Sequence, residues 1–133
     1  MAIRWYSIVI DSRDVAALAR WWSQALDWPI VYEAPDEVVI CQELAVRQAA
    51  DPDGTPFADR APGWVFVSVP EDKTVKNRVH IDLSPDRGSD HAAEVERLVA
   101  LGARRVDVGQ GDVPWVVLAD PEGNEFCVLT PRD

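Results

Sequence analysis

Few residues of this chain have the chemistry of an active site, and two of them, His80 and Asp82, stand two positions apart. Side chains at positions i and i+2 of a β-strand point to the same face. The Asp82 carboxylate could therefore orient the His80 imidazole and raise its basicity, and a histidine held in this way can act as a general base. The alternative is a structural role, in which the His80 ring forms a hydrogen bond with a neighbouring residue and takes no part in catalysis. We take His80 and Asp82 as the candidate catalytic residues.

Other catalytic motifs are missing from the sequence. It has no glycine-rich phosphate loop, no Gly-x-Ser-x-Gly, no His-Glu-x-x-His and no paired-cysteine metal motif. The two cysteines, Cys41 and Cys127, are too few and too far apart for a disulfide framework or a thiolate zinc cluster. We predict that both are buried free thiols.

Length and charge restrict the class of protein further. A chain of 133 residues predicts one domain with a substantial core. The net charge of −10, without any basic run, disfavours nucleic acid and anionic membranes as partners. The apolar run from Met1 to Ile10 is too short for a signal peptide or a membrane span, so we expect a cytoplasmic protein.

The elements that must position these residues repeat along the chain. Apolar periodicity predicts two modules, each with the order strand, helix and three strands. The first helix is predicted from Ser12, as its cap, to Leu26, and the second from Asp90 to Leu101, with Ser89 or Asp90 as cap and Gly102 as terminator. The predicted strands are Trp5 to Asp11, Pro29 to Glu33, Glu37 to Gln42, Trp64 to Val69, Arg78 to Leu83, Arg104 to Val108, Trp115 to Ala119 and Glu125 to Thr130.

Two connections are predicted to lack regular structure. The segment from Glu43 to Gly63 is expected to be a surface loop, in which Leu44 to Gln48 could extend the preceding strand. The segment from Pro70 to Asn77 is expected to link the modules and to leave its two lysines solvated.

The duplicated order, the stretch from Lys73 to Leu83 (KTVKNRVHIDL) and the closing turn from Ala119 to Phe126 (ADPEGNEF) together resemble the vicinal oxygen chelate (VOC) superfamily. The similarity is to its glyoxalase-like, bleomycin-resistance-like branch and covers nearly the whole chain. It implies an α+β fold in which two βαβββ modules form a curved eight-stranded sheet with a concave ligand cup. Residues 1–133 would be one such domain, with module one at about 1–70 and module two at about 77–133.

The resemblance also implies where a metal would bind. In metalloenzyme relatives, each module supplies one ligand from its first strand, usually histidine, and one from its last strand, usually glutamate. The matching positions here are Ser7, Phe66, His80 and Cys127, of which only His80 keeps the expected type. A serine hydroxyl is a poor ligand for a divalent metal. We therefore predict no metal site and no cofactor, while a divalent metal held by a different ligand set stays open.

These considerations lead to a hypothesis about function. Strand alternation predicts that Trp5, Ser7, Trp64 and Phe66 line the cup together with His80, Asp82 and Cys127, which makes these seven residues the candidate ligand-binding set. An aromatic wall with a few polar groups is typical of a pocket for small organic molecules. We expect an apolar or aromatic ligand, because the net charge opposes an anion. One alternative is an enzyme such as a lyase, isomerase or dioxygenase, using a divergent metal site or His80 as a base, and another is a structural or regulatory interaction module. A homodimer is the expected assembly.

Overall fold

A computed structural model describes residues 3–132, which divide into two compact units with the boundary between Glu71 and Asp72. The first unit contains strands β1 (Ser7–Ser12), β2 (Ile30–Ala34), β3 (Glu37–Ile40) and β4 (Gly63–Ser68) and helices α1 (Val15–Leu26) and α2 (Glu43–Ala50). The second contains strands β5 (Ile81–Leu83), β6 (Arg104–Arg105), β7 (Val116–Ala119) and β8 (Glu125–Val128) and helix α3 (His91–Leu101). None of the helices within the described residues is long and apolar enough to cross a membrane.

Each unit holds one four-stranded sheet, and the two sheets have the same topology. Their strand orders are β1-β4-β3-β2 and β5-β8-β7-β6. In both, the first strand pairs in parallel with the last strand, and the remaining neighbours are antiparallel. The α+β class and the two βαβββ modules are thereby confirmed.

Helix α1 supplies the apolar face that covers the first sheet. Its inward side chains recur at helical spacing and are buried: Val15, Leu18, Ala19, Trp21, Trp22 and Ala25. The predicted cap was two residues too early. Asp14, and not Ser12, caps the helix, since its Oδ1 accepts the backbone N–H of Ala17 at 3.0 Å. At the other end Asp27 adopts a left-handed conformation with φ of 54°.

The large aromatic side chains of β4 lie on the helix side of the first sheet. The Trp64 ring lies 5.1 Å from the Trp22 ring and 5.4 Å from that of Trp28. Phe66 is fully buried opposite Val38. Alternation correctly placed Trp64 and Phe66 on one face but assigned the wrong face. Both faces of β4 carry apolar residues, so periodicity alone does not tell them apart.

The connection after β3 is not the loop or strand extension that the sequence predicted. It contains α2, followed by a short 3₁₀ helix, Phe57–Asp59. Its residues have high helix propensity, and Glu43 in the first turn and Arg47 in the last turn complement the helix dipole. The helix has only eight residues and buries none of them, and so short an apolar run is compatible with a strand extension as well as with a helix.

The second unit follows the predicted order with shorter strands. Asp90 caps α3 by accepting the Ala93 N–H at 3.2 Å, and Gly102, with φ of 126°, ends it. The first strand begins only at Ile81, so the predicted residues Arg78 to His80 precede it. Likewise β6 has only two residues, because the chain leaves the sheet after Arg105.

A tight turn joins β7 to β8. The Asp120 carboxylate is fully buried, and its Oδ1 accepts the backbone N–H groups of Glu122 and Asn124 at 2.9 and 3.0 Å. The Asn124 amide also donates to Asp120 Oδ2 at 3.1 Å. Gly123 adopts φ of 90°, which favours glycine. The turn therefore fixes which residues of β7 and β8 face each other.

The assignment of Phe66 to the core predicts a large loss of stability on truncation. Phe66→Ala should lower the free energy of unfolding by about 3–5 kcal/mol, because it leaves a cavity beneath α1. Trp5→Ala is the control, since Trp5 is 62% exposed and should cost at most about 0.5 kcal/mol. Urea denaturation measures both, and equal effects of the two substitutions would contradict the assignment.

Candidate functional site

Strand register brings three side chains into one row across the second sheet. Asp82 of β5 pairs with Cys127 of β8, and Cys127 pairs with Val117 of β7. Directly paired residues point to the same face of a sheet. Asp82, Cys127 and Val117 therefore share a face, and this face forms the floor of a pocket.

The pocket has a volume of about 370 Å³ and lies within the second unit. Its lining divides into an apolar wall and a polar side. The lining residues are Val108, Trp115, Val117, Phe126, Cys127 and Leu129, together with Lys76, His80, Asp82, Gln110, Glu125 and Arg132. Apolar surface beside convergent polar groups is the usual composition of a small-molecule site, and Trp115 is the aromatic residue of this lining with an exposed ring.

Three potential ligand or proton-transfer groups converge in this pocket. Donor atoms of His80, Asp82 and Cys127 all lie within 4.8 Å of one another. His80 Nδ1 is 3.5 Å from Asp82 Oδ1, and both side chains are about half exposed. The predicted pairing of His80 with Asp82 is therefore present in the geometry, and the arrangement can bind or reorient a polar group of a ligand.

Cys127 is buried and has no disulfide partner, as predicted. Burial raises the pKa of its thiol, and the charge of Asp82 together with a hydrogen bond to Asp82 raises it further, whereas the charge of Lys76 lowers it. The net effect is an increase, so Cys127 is a protonated thiol at neutral pH. Cys41 is likewise a buried free thiol.

Glu125 ties the segment before β5 to the pocket. Its Oε1 accepts from Lys73 Nζ at 2.8 Å, and its Oε2 accepts from the backbone N–H of Asn77 at 3.0 Å. The Asn77 amide also donates to Asn124 Oδ1 at 3.0 Å. The structure places Glu125 on the pocket side with Cys127. Lys73 and Asn77 are consequently half-buried against β8, whereas Thr74, Val75 and Lys76 are exposed as expected, with Lys76 at the pocket.

The electrostatics of Glu125 follow from these bonds. Burial acts to raise the pKa of Glu125, but the hydrogen bonds from Lys73 and Asn77 and the positive charge of Lys73 outweigh it. The pKa is lowered overall, so the carboxylate is ionised at neutral pH and neutralised by Lys73.

The structure places the seven predicted ligand-binding residues in different surroundings. It brings His80, Asp82 and Cys127 together. Trp64 and Phe66 are buried in the core of the first unit, as described above. Trp5 precedes β1 in that unit and donates its indole N–H to the Ser7 carbonyl at 3.1 Å, which leaves its ring exposed. Ser7 is partly exposed at the start of β1.

Several pocket residues were missed by sequence reasoning. Trp115 was assigned to a strand but not to the pocket, although the turn at Asp120 fixes the register that places it on the Cys127 face. Lys76 was assigned to a solvated linker, and Arg132 was not considered. No sequence pattern would have found Lys76, because its place depends on the bonds of Glu125. His91 at the start of α3 is half-buried, and its Nε2 lies 3.1 Å from the Val128 carbonyl oxygen.

The bonds of Glu125 predict a pH-dependent contribution to stability. Glu125→Gln should lower the free energy of unfolding at pH 7 by about 1–3 kcal/mol, since it removes charge-assisted hydrogen bonds to Lys73 and Asn77. Because the folded-state pKa is lowered, the contribution is present above the unfolded pKa and disappears as the pH falls through the folded pKa. The difference between the two proteins should therefore shrink in acid.

Urea unfolding of both proteins from pH 7 down to the acid limit of the native state measures this difference. Glu96→Gln is the control, since Glu96 forms an exposed pair with Arg105 that should contribute less than about 1 kcal/mol. A difference for Glu125→Gln that is constant with pH would rule out this account of its charge.

Comparisons with known proteins agree with this fold. The sequence model of the glyoxalase-like domain matches residues 7–129. No curated protein matches the chain at a significant level. Among solved structures, a glyoxalase/bleomycin resistance protein/dioxygenase family enzyme from Burkholderia phytofirmans PsJN superposes with a TM-score of 0.68 at 15% identity, over 98% of this chain and 100% of that one.

Two further structures have a similar fold. A glyoxalase-related enzyme from Fulvimarina pelagi gives a TM-score of 0.64 at 16% identity, over 94% of this chain and 86% of that one. The fosfomycin resistance protein FosX from Mesorhizobium loti gives 0.66 at 16% identity, over 99% and 94%. At such identities the structural likeness shows the fold alone. Since the domain model spans nearly the whole sequence, the chain belongs to the glyoxalase-like domain family.

Proposed function

We propose that this protein binds a small organic molecule in the pocket of its second unit. The observation that carries the proposal is the pocket itself, which joins an apolar wall built on Trp115 to the polar pair His80 and Asp82. Trp115 is 37% exposed, so part of its ring is available for contact with a ligand. The proposal differs from the sequence-based hypothesis in its aromatic residue, since Trp64 and Phe66 are occupied in the core.

Energetics indicate what the ligand must provide. Burying an aromatic surface of about 150 Å² contributes about 4 kcal/mol at 25 cal/mol per Å². A micromolar complex requires about 8 kcal/mol after the cost of association. An apolar contact with Trp115 is therefore insufficient alone, and polar groups of the pocket must bind complementary groups on the ligand.

The aromatic wall predicts which tryptophan reports binding. In a screen of small aromatic compounds by intrinsic tryptophan fluorescence, hits should alter the emission of the natural protein but not that of Trp115→Phe. Trp115→Ala should weaken binding about tenfold or more, because it removes most of the apolar contact. Trp5→Phe is the matched control, as Trp5 is exposed in the first unit.

This screen can also contradict the proposal. Hits that respond equally in Trp115→Phe and in the natural protein would place the binding site elsewhere. A fluorescence response that is lost only in Trp5→Phe would indicate that the ligand contacts the first unit.

A metal-dependent enzyme is the second candidate, and it is favoured by the convergence of His80, Asp82 and Cys127. In a tetrahedral zinc site with nitrogen, oxygen and sulfur ligands, neighbouring ligand atoms are about 3.5 Å apart. The His80 to Asp82 distance of 3.5 Å meets this requirement, and the spread of up to 4.8 Å demands only a small closure around Cys127. Three protein ligands with one open position are typical of catalytic zinc.

Cobalt(II) provides a test of this second candidate. If the three residues hold a divalent metal, Co²⁺ should give thiolate-to-cobalt charge-transfer absorption that Cys127→Ala abolishes and Cys41→Ala retains. The affinity should increase with pH, because the Cys127 thiol must lose its proton to become a ligand. Absence of the band in the natural protein at high pH would exclude this ligand set. The homodimer and the cytoplasmic location stay predictions from the sequence.

A further inference from the structure

Two positively charged side chains line the pocket, and the described part of the chain offers a carboxylate partner to neither. Lys76 Nζ donates to the carbonyl oxygen of its own neighbour Asn77 at 3.2 Å. Arg132 is held by its backbone, whose N–H donates to the Pro85 carbonyl at 3.0 Å. Within residues 3–132, neither side chain forms an ion pair. Each can therefore accept an anion without first giving up a carboxylate.

The two carboxylates of the pocket are already engaged. Glu125 is neutralised by Lys73 and also accepts the Asn77 N–H. Asp82 lies against His80 and is hydrogen-bonded to Cys127. With Glu125 balanced by Lys73, the lining holds two cations, Lys76 and Arg132, against the single carboxylate of Asp82, so the pocket is positive by one charge.

For a ligand inside the pocket, the charge of the lining residues matters more than the net charge of the chain. The value of −10 argues against an anionic ligand at long range. However, salt screens exposed charges beyond about 10 Å at 0.1 M ionic strength. A ligand inside the pocket is therefore affected mainly by the groups that it contacts there.

We propose that the ligand of this pocket is a carboxylate with an apolar body, in which Lys76 and Arg132 bind the carboxylate and Trp115 contacts the apolar part. The inference rests on the proposed function and names its ligand class. The planar guanidinium of Arg132 matches both oxygens of a carboxylate, and Lys76 adds a compact charge. These charge-assisted bonds supply the polar contribution that contact with Trp115 alone does not.

The same network keeps Lys76 in place. Lys73 and Asn77 flank Lys76 in sequence, and Glu125 binds both of them. Asn77 is fixed a second time through Asn124. Since the backbone N–H of Asn77 and the side chain of Lys73 are held by Glu125 before a ligand arrives, less conformational entropy is lost on binding. Glu125 is accordingly a positioning residue for Lys76.

A matched pair of probes tests the ligand class. We would titrate the full chain with 2-naphthoate and with its neutral analogue 2-naphthamide by isothermal titration calorimetry. Naphthoate should bind at least about tenfold more tightly than naphthamide. Lys76→Gln and Arg132→Gln should each weaken naphthoate about tenfold and leave naphthamide within about twofold. Glu125→Gln should weaken naphthoate selectively if it positions Lys76.

Arg78→Gln is the control, since Arg78 is exposed on the same segment and does not line the pocket. It should leave both affinities unchanged, and only naphthoate binding should weaken with added salt.

The outcomes separate this inference from the proposal on which it rests. If naphthamide binds as tightly as naphthoate and Trp115→Ala weakens both, the pocket binds organic ligands but the carboxylate inference is wrong. If naphthoate binds equally to Lys76→Gln, Arg132→Gln and Arg78→Gln, its carboxylate lies elsewhere and the inference is also wrong. If neither probe binds, both the inference and the proposed pocket function fail.

Discussion

The turn formed by Asp120 is the constraint on which the candidate site depends. Its buried carboxylate accepts two backbone N–H groups and the Asn124 side chain, and this sets the β7–β8 register. A shift of one residue would move every side chain of a strand to the opposite face. Cys127 would then leave the pocket, and its row with Asp82 and Val117 would be lost. The Asp-Pro-Glu-Gly-Asn turn, which is weak as a motif by itself, therefore determines the composition of the pocket.

The second requirement is the distribution of charge inside the pocket. Glu125 faces the pocket, yet its charge is directed to Lys73 and to the Asn77 backbone. The ion pair with Lys73 neutralises the negative charge that Glu125 would otherwise present to the pocket. The bond to Asn77 orders the segment that carries Lys76. A protein with strong net negative charge can thus present a positive site, because contacts within a few ångströms dominate over distant screened charges. Stability and ligand choice depend here on the same carboxylate.

The sequence predicted the module order and both helix-bearing repeats, because these depend on apolar periodicity and on capping residues such as Asp90. It also predicted that His80 and Asp82 lie together, and they are 3.5 Å apart, although His80 precedes β5 and strand alternation is therefore not the cause. The sequence-based prediction failed where the apolar pattern does not distinguish between alternatives. Helix α2 buries no residue, and β4 is apolar on both faces, so neither α2 nor the direction of Trp64 could be derived. The role of Lys76 arises from contacts nearly fifty residues away in sequence, such as that between Asn77 and Glu125.

The central claim is that the ligand pocket lies against Trp115 in the second unit. The most direct test is to follow the indole N–H signals of the six tryptophans by ¹H–¹⁵N NMR during a titration with 2-naphthoate. Each indole signal is assigned with a single Trp→Phe variant, in which the signal of the replaced tryptophan disappears. The account predicts that the Trp115 signal shifts in a saturable manner while the signals of Trp5, Trp22 and Trp64 stay in place. A saturable shift of Trp5 or Trp64 with an unchanged Trp115 signal would contradict it.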